Sequence, residues 1–168
     1  MFPSIKRLAI NSPGNGYMFQ SSVERSSIAK SSSLSWWEIA EFLKQNSIKS
    51  TELGKNFFVL KKQIYAYKKL RDRRVANLIV PRGSVIYHNP HGENLGGFSL
   101  KLRTNLAVVH SIWDAKDKRF VTEGTSYHDN SFVYEIKKVV SVRDFSFENR
   151  TCGAGIHFFL NLDEALNY

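Results

Sequence analysis

Phe57-Phe58-Val59-Leu60, Ile64-Tyr65-Ala66-Tyr67, Val75-Ala76-Asn77-Leu78-Ile79-Val80 and Val85-Ile86-Tyr87 follow one another through the middle of the chain. Each run is short and rich in β-branched and aromatic residues, and the runs are separated by turn-forming or charged residues. Leu106-Ala107-Val108-Val109, Phe120-Val121, Phe132-Val133-Tyr134 and Val139-Val140-Ser141-Val142 continue the pattern. So many short strands with few helical stretches between them predict an α+β fold rather than a doubly wound parallel sheet. The expected form is a compact, mainly antiparallel β domain with an N-terminal amphipathic helix and a short C-terminal helix. No internal repeat, heptad array or long low-complexity block interrupts this reading.

Upstream of Asn56 the period changes. Ser35-Trp36-Trp37-Glu38 has the spacing of a capping box, in which the hydroxyl takes the N–H three residues on and the carboxylate returns the bond. Leu34 and Ile39 occupy the positions of a hydrophobic staple. Trp36, Ile39, Ala40 and Leu43 then form one apolar stripe at helical spacing. Trp37 and Phe42 widen it, so Trp36, Trp37 and Phe42 are candidates either for core packing or for a partner surface. Residues 1–33 are a Ser/Gly/Asn-rich arm whose composition offers little apolar burial against the entropy of ordering. The expected division is therefore an arm over 1–33, a helical segment over 34–55 and a β-rich module over 56–168.

At the other end, Gly153 and Gly155 permit a tight turn, Ile156 to Leu160 read as a buried strand, and Asn161-Leu162-Asp163-Glu164 starts a capped helix. Asp163 and Glu164 suit the positive end of its dipole.

With 168 residues, 42% of them hydrophobic and 13% aromatic, the chain can bury a core as one domain with an appendage. One cysteine, Cys152, excludes an internal disulfide framework. The first residues lack a signal-peptide apolar run and no later window is long enough to span a membrane, which predicts a soluble, intracellularly made protein. The formal net charge is +9, and residues 1–74 hold 14 Lys and Arg against 5 Asp and Glu, so the first half carries the excess. Lys61, Lys62, Lys68, Lys69, Arg71, Arg73 and Arg74 crowd into one stretch with Tyr65 and Tyr67 between them. Such a patch attracts phosphate backbones or acidic protein surfaces, and the tyrosines offer rings for base stacking. A solvated hairpin with alternate basic residues produces the same pattern.

Local chemistry is sparse. His88-Asn89-Pro90-His91 spaces two imidazoles three apart, but Pro90 keeps them off a shared helix face and no converging ligands join them, so no metal is expected. Cys152 and His157 do not make a nucleophile and base, because His157 leaves an extended strand on the face opposite Ile156 and Phe158. A buried structural cysteine and a satisfied strand histidine are the expectation. No nucleophile elbow, phosphate-binding loop or dinucleotide fingerprint occurs, and no cofactor is expected.

Tyr67-Lys68-Lys69, Val75 to Pro81, Ser126-Tyr127-His128-Asp129 through Tyr134, Asp144-Phe145 and Cys152-Gly153-Ala154-Gly155-Ile156-His157-Phe158-Phe159 with Glu164-Ala165 resemble an uncharacterised family of giant DNA viruses and some phages. The resemblance covers roughly residues 63–168. In relatives the module often follows pentapeptide repeats, which are absent here, and Lys101-Leu102-Arg103 stands where the family implies Lys-Cys-Arg. A second similarity is to ADP-ribosyltransferases: Gly155-Ile156-His157-Phe158-Phe159 resembles their nicotinamide-holding segment and His91-Gly92 their upstream His-Gly. It implies an NAD-like pocket at His91, Gly92, Gly155 and His157, although the nine residues after Phe159 leave no strand for that family's catalytic glutamate.

Together these features favour a non-enzymatic viral structural or assembly protein, a minor virion component that meets neighbouring viral proteins through protein–protein contacts. The alternatives are a nucleic-acid-binding accessory protein, an ADP-ribosyltransferase-like NAD-binding protein, and a host-defence antagonist that meets an acidic host protein. Each predicts a place in the virion or the infected host cell.

Overall fold

A computed structural model describes residues 35–90, 100–150 and 152–168. The arm over 1–33, Leu34, His91 and Gly92 lie outside the described residues. Helix α1 (Trp36–Asn46) begins as its capping box dictates: the Ser35 hydroxyl accepts from Glu38 N at 3.3 Å and Ser35 N donates to the Glu38 carboxylate at 2.6 Å. Those Ser35 hydrogen bonds hold the Glu38 carboxyl below its ordinary pKa. The helix is shorter than the 34–55 segment. It stops at Asn46 and the chain extends at once into β1 (Ser47–Lys49), because the next residues carry no continuation of the apolar stripe.

Two antiparallel sheets follow. In the first, β1 pairs with β2 (Phe57–Leu60), then come β5 (Val85–Tyr87), β6 (Leu102–Thr104) and β12 (Ile156–Phe158). In the second, β3 (Ile64–Lys69) pairs with β4 (Arg74–Val80), β4 with β7 (Leu106–Asp114), and β7 with both β8 (Arg119–Val121) and β11 (Val139–Ser141). A separate ribbon joins β9 (Glu123–Thr125) to β10 (Val133–Glu135). Every pairing among the described residues is antiparallel, as the short alternating runs predict.

The two sheets share one core. Leu60, Ile86, Leu102, Ile156 and Phe158 from the first meet Ile64, Ala66, Ala76, Leu78, Ala107, Val109 and Ile112 from the second, with Ile39 and Leu43 of α1 closing the cluster. Trp36 and Ala40, on the same stripe, are half-buried. Past Phe158 the chain crosses to the second sheet: Tyr67 and Phe159 exchange both backbone hydrogen bonds at 2.8 Å. Helix α2 (Leu162–Asn167) then starts where Asn161 accepts from Asp163 N at 2.8 Å, and buries Leu162 and Ala165 beside Tyr67, Val75 and Phe159.

Candidate functional site

The turn before β12 is shaped by an arginine. Arg103 is fully buried in β6, with its guanidinium 4.4 Å from the Tyr87 ring centre and 5.0 Å from that of Phe145. It donates to the carbonyl oxygens of Ala154 at 3.3 Å and Glu148 at 3.2 Å. A Cβ on Gly153 would lie 2.0 Å from Arg103 Nη1, and one on Gly155 would lie 2.3 Å from Arg103 Cγ. These glycines therefore let the chain wrap a buried cation, which is their structural reason to be there.

Beyond that turn opens a cleft of about 770 Å³. Lys68 and Tyr134 are buried residues of its lining; Lys101 meets Cys152 and Tyr168 along it; Lys69, Tyr127, His128, Asp129, Arg143, Asp144 and His157 also line it. The period of β3 explains the deep lysine. Ile64 and Ala66 face the core, and two residues on the same alternation carries Lys68 inward, where it is 9% exposed.

Lys68 Nζ donates to the His157 carbonyl at 3.1 Å and sits 5.5 Å from the Tyr134 ring centre. Among the described residues no carboxylate forms an ion pair with it. Burial, and secondarily the charge of Lys101, pull its pKa from the ordinary 10.5 down to about 8. Lys101 Nζ donates to the Tyr168 hydroxyl at 2.8 Å and lies 3.6 Å from Cys152 Sγ. It also lies 4.9 Å from the Tyr168 ring centre, but the short contact to oxygen makes the hydroxyl its partner rather than the ring face. Lys69 Nζ stands 5.2 Å from the Tyr127 ring centre. Burial, then the Asp129 charge, holds the Tyr134 phenol protonated far above its ordinary range. Asp129 itself is kept below the usual carboxylate pKa by the side-chain and backbone hydrogen bonds of Ser131.

The basic stretch does not form one surface. Lys61 and Lys62 are exposed at the turn before β3, whereas Arg71 and Arg73 are exposed at the turn after it. The six residues of β3 separate the two groups by about 20 Å. Lys68 and Lys69 belong to the cleft, and Arg74 pairs with Asp114 at 3.2 Å. Tyr67 is fully buried and presents no face for stacking, which leaves the half-buried Tyr65. Trp36 and Trp37 stack on each other at 3.6 Å, with Trp37 66% exposed; Phe42 packs against the core.

Gly155 and His157 line the cleft. Cys152 is exposed, contrary to the expectation of a buried thiol; it stands just before the glycines that pack on Arg103, with Lys101 Nζ 3.6 Å from its sulfur. His88 is buried. Sequence reasoning passed over Lys101, Tyr134 and Tyr168 as site residues. The usable signal was the inward register of Lys68, a lysine where an apolar residue belongs.

Residues 48–165 match the Family of unknown function (DUF5758). The match begins in β1 and so takes in the first sheet's edge, earlier than the resemblance at 63 suggests. The chain is also 33% identical over 97 residues to "Uncharacterized protein L223" of Acanthamoeba polyphaga mimivirus, an alignment that covers 56% of this chain and 61% of that protein. The chain thus spans less than two thirds of that relative's length. No solved structure matches it.

Proposed function

The chain belongs to the DUF5758 family, whose function is unknown, and from that premise we propose that it is a viral accessory protein that binds a small anionic ligand, carrying a phosphate or carboxylate, in the cleft around Lys68 and Lys101. The observation that carries this reading is the buried Lys68 ammonium, which has one carbonyl acceptor and no carboxylate partner among the described residues. Burying an ammonium costs several kcal/mol, on the order of the penalty for any uncompensated buried ion, and an anion within the cleft offsets it. Lys101 adds a second positive charge near enough to disfavour the Lys68 cation, and the two are satisfied together by one negative group. Inorganic phosphate is the simplest test. At pH 7 and low salt it should raise the melting temperature of the wild type and leave Lys68→Met unchanged; equal shifts in both proteins would refute the site.

The viral relative supports action in the infected cell. A role as a minor virion or assembly component rests on a different surface. Trp37 and Ile48, 66% and 62% exposed, lie on α1 and on the edge strand β1 that directly follows it, and offer apolar area to a neighbouring protein. Mass spectrometry of purified particles tests that role. Absence of the protein from them, with Trp37→Ser leaving its co-purifying partners unchanged, would sink it.

A further inference from the structure

Resting on the anion-binding reading, we infer that Lys68 is a carbonyl-capturing amine, and that the ligand of the cleft is a small aldehyde or ketone that also bears a phosphate or carboxylate. The cleft holds an amine with its nitrogen tethered to a single backbone carbonyl at 3.1 Å, deep enough to exclude most water yet opening on a cavity large enough for a metabolite-sized molecule. Lys101 lines the same cleft, fixed by the Tyr168 hydroxyl at 2.8 Å, where it can hold the ligand's anion while the carbonyl reaches Lys68. Holding the two ends in this way turns a bimolecular addition into an effectively intramolecular one. Tyr134, with its ring 5.5 Å from Lys68 Nζ, keeps its proton throughout the neutral range and lines the same space as a hydroxyl donor. With its pKa near 8, Lys68 presents about 300 times more free amine at pH 7 than an ordinary lysine.

The chemistry is a condensation. The neutral Lys68 nitrogen attacks the carbonyl carbon, forming the C–N bond as the C=O π pair moves to oxygen. That oxygen takes a proton and the nitrogen loses one, giving a carbinolamine. Protonation of its hydroxyl expels water as the nitrogen lone pair forms the C=N bond, and the resulting iminium gives back its N–H proton to leave the imine. Amine and carbonyl are consumed, imine and water are produced, and no electrons change hands. Lys68 is thereby distinct from Lys69, Lys101 and Arg143, which act as charges.

The test treats the whole protein at pH 7 with pyridoxal 5′-phosphate or with pyruvate, adds sodium borohydride to reduce any imine, and reads intact mass followed by peptide mapping. The expected result is one reduced adduct per chain, placed on Lys68 and suppressed by inorganic phosphate. An adduct from pyridoxal phosphate but not pyruvate assigns the phosphate-bearing class, and the reverse assigns the carboxylate-bearing class. Lys68→Arg should keep the phosphate-induced rise in melting temperature and lose the adduct. If phosphate stabilises the wild type but label is spread over surface lysines or misses Lys68, the capture step is wrong and the anion site stands. If phosphate neither stabilises the protein nor suppresses labelling, the anion reading itself falls. Mapping the wild type decides the matter even where Lys68→Arg does not fold.

Discussion

Lys68 makes stability depend on pH in an unusual direction. Its folded pKa lies near 8, below the ordinary 10.5 it regains on unfolding. Between those values the unfolded chain binds more protons than the native one, so stability rises with pH. Below about pH 7 the charged Lys68 carries its full cost in the fold, and about 2.5 kcal/mol of that cost is relieved by pH 10. Above pH 10 the trend is opposed, because buried Tyr134 stays protonated in the fold while the unfolded phenol ionises. The useful window is therefore pH 7 to 10. Urea unfolding followed by tryptophan fluorescence, on wild type and Lys68→Met, isolates the term, since other titrations cancel in the difference. The wild type should gain about 2.5 kcal/mol on the variant across that window, and saturating phosphate should flatten the gain by holding Lys68 charged. A flat difference without phosphate would mean that Lys68 is neither desolvated nor deprived of a counter-ion, and would remove the basis for the anion site.

Leu43→Ala, which empties a fully buried position where α1 meets both sheets, should cost about 2–5 kcal/mol in denaturant unfolding. Gly153→Ala sets a methyl group 2.0 Å from Arg103 Nη1 and should lower stability by about 1–3 kcal/mol or more, with loss of phosphate binding as the wall of the cleft shifts. Asp114 accepts from Asp117 N and Lys116 N at 3.0 Å and from Arg74 at 3.2 Å; the Asp117 backbone bond is the largest cause holding its carboxyl below the ordinary range. Its contribution is complete above the ordinary carboxylate value and disappears as pH falls through the lower folded one, so acid titration of Asp114→Asn should show a shallower loss than the wild type.

The parts of the fold that announce themselves do so through local, repeated signals. Ser35 with Glu38 fixed the start of α1, and the alternating runs over 57–60, 64–67, 75–80 and 85–87 marked β2 to β5. β6 was hidden because its central residue is Arg103, a cation that reads as surface until Tyr87, Phe145 and two carbonyl oxygens enclose it. β9 was hidden by Glu123 and Gly124, poor strand formers that are held by pairing with β10. β7 reads as ending at Val109 because His110 and Ser111 are polar, yet its pairing with β4 carries it to Asp114 through a register shift at Asn77 and Leu78. The cleft was the least legible feature. Lys68, Lys101, Tyr134, His157 and Tyr168 come from five separate segments, and no spacing rule unites them before the sheets are closed.

The Tyr67–Phe159 bridge joins residues ninety-two positions apart in sequence. During synthesis β3 leaves the ribosome long before its partner exists, and its outer edge waits with unmet backbone groups while the rest of the chain is made. The seam that unites the sheets is thus one of the latest ties available to a nascent molecule, followed by the docking of α2 and the Lys101–Tyr168 bond. A chain ended before Phe159 would leave Tyr67 without this partner, and β3 would stand as an edge strand along its whole length.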